Sequence, residues 1–154
     1  MKIGRVFEIA YSHRIFGHTG QCRNLHGHNG RVEVTVEGQI DPDTGMVMDF
    51  RDLKDAVVSS VLSKLDHSTI LQSGDPLARA DRLVEYGKHV LVARPPTAEV
   101  IAHYIVDELT RQLTTVSNIK VRFWESRDCY AEEEVYTAQG VKEVLARARA
   151  LAEA

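Results

Sequence analysis

Three histidines and a cysteine stand at spacings that could do chemistry. The stretch QCRNLHGHNG, residues 21–30, holds Cys22, His26 and His28. His26 and His28 are two positions apart, so on a β-strand both project from one face, roughly 6.5–7 Å apart along the chain. They continue the parity of Val32, Val34 and Val36, which alternate with Glu33, Thr35 and Glu37. His13 continues the parity of Phe7, Ile9 and Tyr11 in the preceding apolar alternation. If these two strands are neighbours, the three imidazoles converge. Three histidines with an open fourth position is a common way to hold catalytic zinc. Neutral imidazole suits Zn2+, and no carboxylate cluster points to magnesium or calcium. The competing reading is three solvated side chains at strand ends; their shared place on apolar faces favours metal.

Cys22 precedes His26 by four residues and has two readings. It is a fourth ligand closing a structural site, or an unbound thiol beside the ion, where a cation favours the thiolate as base or nucleophile. Glu125 falls on the face of Ile119, Val121 and Phe123. An inward carboxylate needs a partner, either an arginine or the N–H donors of a ligand. Asp66 and His67 are adjacent after a helix end. There the histidine is either favoured by the helix dipole or serves as a proton shuttle oriented by the aspartate. His18, His89 and His103 have no such company and read as solvated or packed.

The elements that must position these residues follow from period and punctuation. Residues 3–11 and 26–37 alternate as strands. DPDTG, residues 41–45, is a turn, and MVMDF after it reads as a short strand closing a hairpin. Asp49 caps a helix over 50–64 with a stripe of Leu53, Ala56, Val57, Val61 and Leu62. Asp75, Pro76 and Gly87 bracket a second helix over 75–87. HVLVA is a short strand or an extended link, stopped by Pro95 and Pro96. Thr97 caps a helix over 98–114. Residues 118–126 and 129–136 read as two strands, and the tail from about 140 as a helix. Strand pairs separated by helices suggest an α+β fold, a four-stranded antiparallel sheet with two helices on one face and extra helices at 75–87 and the C-terminus. Such a sheet has two open edges, which subunits could pair.

The whole chain sets outer bounds. Its 154 residues suit a single domain spanning 1–154. Net charge is −3, which offers no basic face for nucleic acid. No apolar run approaches the roughly 18 residues of a membrane span. The first residues lack a long apolar segment and a small-residue cleavage site, so a cytoplasmic protein is expected. Two cysteines are too few for a disulfide framework.

In order, FEIAYSHR, CRNLHGH, DPDTGMVMDFRDLK, LDH, PTAE and WES resemble the 6-pyruvoyl-tetrahydropterin synthase / 6-carboxy-tetrahydropterin synthase family across nearly the whole chain. The resemblance implies a T-fold whose subunits close their sheets into a barrel, usually as a homo-hexamer of two trimers. It implies Zn2+ on His13, His26 and His28, and Cys22 as catalytic base with Asp66 and His67 assisting. It implies Glu125 gripping a pterin ring, with Thr97 helping. Residues of neighbouring subunits would complete each site. The implied substrate is 7,8-dihydroneopterin triphosphate, and the implied product is 6-carboxy-tetrahydropterin on the way to queuosine and other 7-deazaguanines. The alternatives are 6-pyruvoyl-tetrahydropterin as product, or a zinc- and pterin-binding protein without turnover. Since a closed Cys-His-His-His site would leave no position for substrate, Cys22 should stay off the metal. Arg14 and Arg23, which flank the metal histidines, and Arg127, which follows Glu125, are candidates for the triphosphate. The segment between LDHS and PPTAE and the C-terminal helix depart from the compact bacterial pattern.

Overall fold

The computed structural model describes residues 1–152 except 80, 82–84 and 86, with side chains placed as far as residue 148. Strands β1 (Lys2–His13) and β2 (His26–Glu37) form an antiparallel pair in unbroken register from Lys2↔Glu37 to His13↔His26. β5 (Asn118–Trp124) pairs with β2, and β6 (Tyr130–Tyr136) with β5, both antiparallel. These four are the antiparallel strands expected from the alternation.

Among the described residues β3 (Ser68–Gln72) and β4 (His89–Val92) join them in a six-stranded sheet of order β4-β3-β1-β2-β5-β6. The count of four is thereby extended by two strands that run parallel, β3 to β1 and β4 to β3. HVLVA is thus a strand and not a link. β3 is nearly all buried, and a strand covered on both faces reads as a run without alternation, which hides it from a search for period two. Its polar start is satisfied inside: Ser68 Oγ donates to Leu65 O at 2.7 Å, and the hydroxyls of Thr69 and Ser12 lie 2.9 Å apart.

Helix α1 begins at Phe50–Val57, widens through a π-helical segment at Val58–Leu62 and ends at Ser63–Leu65. Asp49 caps it by accepting from Arg51 N at 2.7 Å. The expected strand over MVMDF is absent, because Asp49 already belongs to the cap. The loop is closed instead by Asp41 N donating to Met46 O at 2.8 Å. Helix α2 (Ala98–Gln112) starts at Thr97, whose Oγ accepts from Val100 N at 3.5 Å. Leu53, Val57, Val61 and Leu65 of α1 and Ile101, Ile105 and Leu109 of α2 are buried with Ile9, Tyr11, Val32, Val34, Val121 and Phe123. Both helices therefore lie on the sheet face that carries the odd-numbered residues of β1, α1 against β1 and α2 against β5 and β6. The even-numbered face, from Lys2 to Glu8, stays exposed.

Helix α3 (Ala138–Ala152) leaves the sheet after Thr137, whose hydroxyl bonds Val116 O and accepts from Gly140 N. A Cβ on Gly140 would lie 1.9 Å from Ser117 O, so this close approach needs glycine. Among the described residues no helix is long and apolar enough to cross a membrane.

The helix expected over 75–87 begins as a short 3-10 turn, Pro76–Ala78, while residues 80, 82–84 and 86 lie outside the described residues. Asp75 caps the turn by accepting from Leu77 N at 2.7 Å. Its carboxylate, fully shielded, also takes both prongs of the Arg14 guanidinium, with Nε at 2.7 Å from Oδ2. Burial alone would raise the Asp75 pKa. The bonds from Arg14 and the Leu77 N–H outweigh it and hold the carboxyl below the usual carboxylate range. Asp75→Asn removes the negative charge that Arg14 faces across this buried contact and should cost about 3 kcal/mol, the low end for a broken buried pair because Arg14 is partly solvated. A depressed folded pKa gives stability that is present above the unfolded pKa and lost in acid. The gap between wild type and variant in denaturant melts should therefore be full at neutral pH and close below about pH 3.9. A gap that persists in acid would show that charge is not its source.

Candidate metal centre and active site

The β1–β2 register sets His13 opposite His26 and Tyr11 opposite His28, and cross-strand partners share a face. Ring centroids of the three histidines lie 4.7 to 5.1 Å apart. One nitrogen from each ring falls within 4.8 Å of the other two. Beneath them Tyr11 packs on His13, His28 and Phe123 at 5.3, 5.6 and 5.5 Å.

Backbone carbonyls fix two of the rings. His13 Nδ1 lies 2.7 Å from Pro96 O, and His26 Nδ1 lies 2.7 Å from Asn24 O. A carbonyl only accepts, so each Nδ1 carries the proton and each Nε2 a lone pair. Nε2 of His13 and of His28 are buried without a hydrogen-bond partner. Burial lowers the pKa of His13, against the opposing pull of the Pro96 carbonyl and of Glu125. Burial likewise lowers that of His28. Neutral imidazoles with orphaned, converging lone pairs are what a borderline metal ion requires, and the cluster could hold one.

Glu125 leaves the end of β5 on the same face. Its Oε1 lies 3.3 Å from His13 Nε2 and 3.8 Å from His28 Nε2, so histidines and not an arginine meet the inward carboxylate. Cys22 sits in an exposed 3-10 turn, Gln21–Arg23, anchored by Ile15 N donating to Cys22 O at 2.7 Å. It is not a member of the three-histidine cluster. A cleft of about 290 Å3 is lined by His13, Cys22, Thr97, Glu99, Glu125 and Cys129, among others. The structure thus brings together the three clustered histidines, Cys22, Thr97 and Glu125. Sequence reasoning missed Glu99. Its signal was present in PTAE, a carboxylate in the first turn of a capped helix, where the Thr97 hydroxyl and its own N–H lower its pKa. His18, which reads in the sequence as solvated or packed, also lines this cleft.

Asp66 and His67 form a pair elsewhere. Asp66 accepts from Ala10 N at 2.9 Å through Oδ1, and its Oδ2 lies 2.9 Å from His67 Nδ1. Burial pushes the Asp66 carboxyl up, and the Ala10 N–H and His67 bring it net below its ordinary value. His67 adopts φ +55° and is itself exposed. The pair opens on a larger cleft of about 700 Å3, shared with Glu8, Arg31, Trp124 and Arg127. Positions 8, 10 and 31 lie on the face of the sheet opposite the three clustered histidines. Within one chain the pair and the cluster are therefore separated by the sheet. Arg127 stands with the pair, Arg23 on the exposed turn, and Arg14 against Asp75.

A family model described as 6-pyruvoyl tetrahydropterin synthase matches residues 2–135. The chain belongs to this family. A relative from Rickettsia bellii, named 6-carboxy-5,6,7,8-tetrahydropterin synthase, is 34% identical over 138 residues, covering 86% of this chain and 99% of the relative. The human 6-pyruvoyl tetrahydrobiopterin synthase is 33% identical over 137 residues, covering 81% and 85%. Among solved structures, the Plasmodium falciparum 6-pyruvoyl tetrahydropterin synthase superposes with a TM-score of 0.68 at 24% identity, covering 88% of this chain and 98% of its own. The α+β architecture is that of the tetrahydropterin synthase T-fold, and the protein is an enzyme of the carbon–oxygen lyase class. The matched range contains both clefts and stops before α3.

If the converging lone pairs bind a metal, chelator-stripped protein dialysed against zinc should take up one ion per protein molecule by elemental analysis. His26→Ala and His28→Ala should weaken uptake by more than the ~10–100-fold lost with a supporting group. Full occupancy in both variants would sink the assignment.

Proposed function

We propose that the protein is a zinc-dependent lyase that takes 7,8-dihydroneopterin triphosphate and one water to triphosphate, acetaldehyde and 6-carboxy-5,6,7,8-tetrahydropterin for 7-deazaguanine (queuosine) synthesis in the cytoplasm. The observation that carries it is the convergence of Cys22, Thr97 and Glu125 on the cleft beside the three imidazoles. The 6-carboxy outcome is supported by relatives so named from Rickettsia bellii and Haemophilus influenzae, which match over 99% and 96% of their length. The human relative at 33% identity supports the second reading, with 6-pyruvoyl-tetrahydropterin as product.

His13, His26 and His28 would hold the zinc through Nε2, with Pro96 and Asn24 keeping the His13 and His26 tautomers. Bound there, zinc supplies Lewis acidity toward the hydroxyl oxygens of the substrate. Glu125 accepts N–H bonds from the amino-pyrimidine edge of the pterin, with Thr97 and Glu99 beside it. Cys22, off the metal, acts as thiolate and takes a carbon-bound proton from the substrate. Asp66 orients His67 for proton transfer. Because this pair opens on the opposite face of the sheet, a neighbouring copy has to bring its own pair to the cleft, which supports a homo-oligomer; its size, a hexamer of two trimers, is taken from the family resemblance. Arg127 and Arg31 stand beside His67 and suit the triphosphate, with Arg23 on the exposed turn as a further candidate. Arg14, engaged by Asp75, serves the fold.

Incubation with dihydroneopterin triphosphate and mass analysis of the products tests the reaction and separates the two outcomes; no consumption of this substrate would refute both. Cys22→Ala should keep its zinc and bind substrate, yet lose about 10²–10⁴-fold in turnover, the contribution of a positioned general base. His67→Ala should lose less. A Cys22→Ala protein that sheds zinc and turns over normally once it is restored would make the thiol a ligand. In the Cys22→Ala background, Glu125→Gln should weaken calorimetric substrate binding by about 1.5–3 kcal/mol, the worth of a charge-assisted bond. Unchanged affinity there would reduce Glu125 to a neighbour of the histidines.

A further inference from the structure

The sequence has two cysteines, Cys22 and Cys129. Both are free and exposed, and both line the metal-side cleft. They reach it from unrelated directions. Cys22 comes from the turn between β1 and β2, within residues 16–25, which are all exposed. Cys129 closes the β5–β6 hairpin, where its carbonyl accepts from Glu125 N at 3.0 Å and Ser126 N at 3.4 Å. The β5–β6 register ends at Trp124↔Tyr130, so position 129 falls opposite position 125 and shares its side of the ribbon. Neither thiol is buried as a core residue, and neither belongs to the metal cluster.

We propose that Cys22 and Cys129 form a reversible intramolecular disulfide when the protein meets a peroxide. One thiolate sulfur attacks the O–O bond of hydrogen peroxide; an S–O bond forms, hydroxide leaves and is protonated to water, and the cysteine becomes a sulfenic acid. The second thiol attacks that sulfur. The S–S bond forms as the S–O bond breaks, and a second water departs. Two thiols are oxidised by two electrons and the peroxide is reduced to two waters. A dithiol reverses the step by exchange. The segment that must adjust is the exposed turn carrying Cys22, held to its surroundings by the Ile15–Cys22 backbone bond, until the Cα atoms span the ~4.4–6.8 Å of a disulfide. Transient bonds of this kind are the form disulfides take in reducing compartments. The crosslink would bridge the cleft in front of Glu125 and remove the Cys22 thiol. The loss of turnover that follows rests on the reading of Cys22 as base; the crosslink does not.

Zinc-loaded protein treated with hydrogen peroxide at mildly alkaline pH tests it through thiol titration, intact mass and a non-reducing peptide map. Both thiols should disappear together, the mass should fall by two hydrogens, and one Cys22–Cys129 peptide should appear and vanish with dithiothreitol. Cys129→Ser should instead carry Cys22 on to sulfinic and sulfonic acids that dithiothreitol does not recover. Separate oxygen uptake at each cysteine in the wild type, or crosslinks only between molecules, would overturn the proposal. Turnover should fall at least tenfold in step with the crosslink. A crosslink formed with turnover unchanged supports the disulfide and overturns the catalytic role of Cys22, so the two failures are separate.

Discussion

Everything at the site depends on the register of one strand pair. β1 and β2 are aligned without a slip over twelve residues, and the alignment ends by placing His13 against His26. Side chains alternate with period two, so a shift of one residue would carry an entire histidine set through to the other face of the sheet. The register is held by what lies behind the histidines. Ile9, Tyr11, Val32, Val34 and Val36 are buried under α1 and α2, and exposing that set would cost far more than any contact at the site supplies. The apolar core thus aims the imidazoles.

The same core sets their chemistry. The helix that covers the sheet starts at Thr97, and the carbonyl just before it, on Pro96, takes the Nδ1 proton of His13. A proline pair stops the preceding strand, Thr97 caps the next helix, and the carbonyl between them fixes a tautomer. Burial lowers the pKa of His13, which keeps its Nε2 lone pair free. Helix packing, tautomer and donor availability are one arrangement, and Glu125 adds negative charge 3.3 Å from the same nitrogen.

The sheet also divides the work. Its covered face carries the imidazole cluster, Cys22, Thr97 and Glu125; its open face carries Asp66, His67, Arg31 and Arg127. The open face is not bare: Arg122 reaches both Glu132 and Glu33, and Lys120 reaches Glu132. Among the described residues β4 and β6 are the edges of the sheet. Asp66 and His67 thus open on the side of the sheet away from Cys22.

Short-range signals were enough for much of this. The period of two in FEIAYSH and HGHNGRVEV put three histidines on apolar faces, caps at Asp49 and Thr97 marked two helix starts, and the parity of 119, 121 and 123 carried Glu125 inward. These patterns are legible because burial on one face writes itself into neighbouring residues. β3 was not legible, since a strand covered on both sides loses its alternation, and its parallel pairing to β1 leaves no local mark. Nor could MVMDF show that its loop would close through Asp41 N and Met46 O in place of a strand. Arg14 is a phosphate candidate in the sequence because it follows His13; only the fold brings Asp75 to it from 61 residues away. The separation of His67 from Cys22 likewise belongs to the tertiary structure. Spacing along the sequence decides which face a residue takes within its own strand, but which face a distant segment joins is decided by how the sheet is ordered and covered.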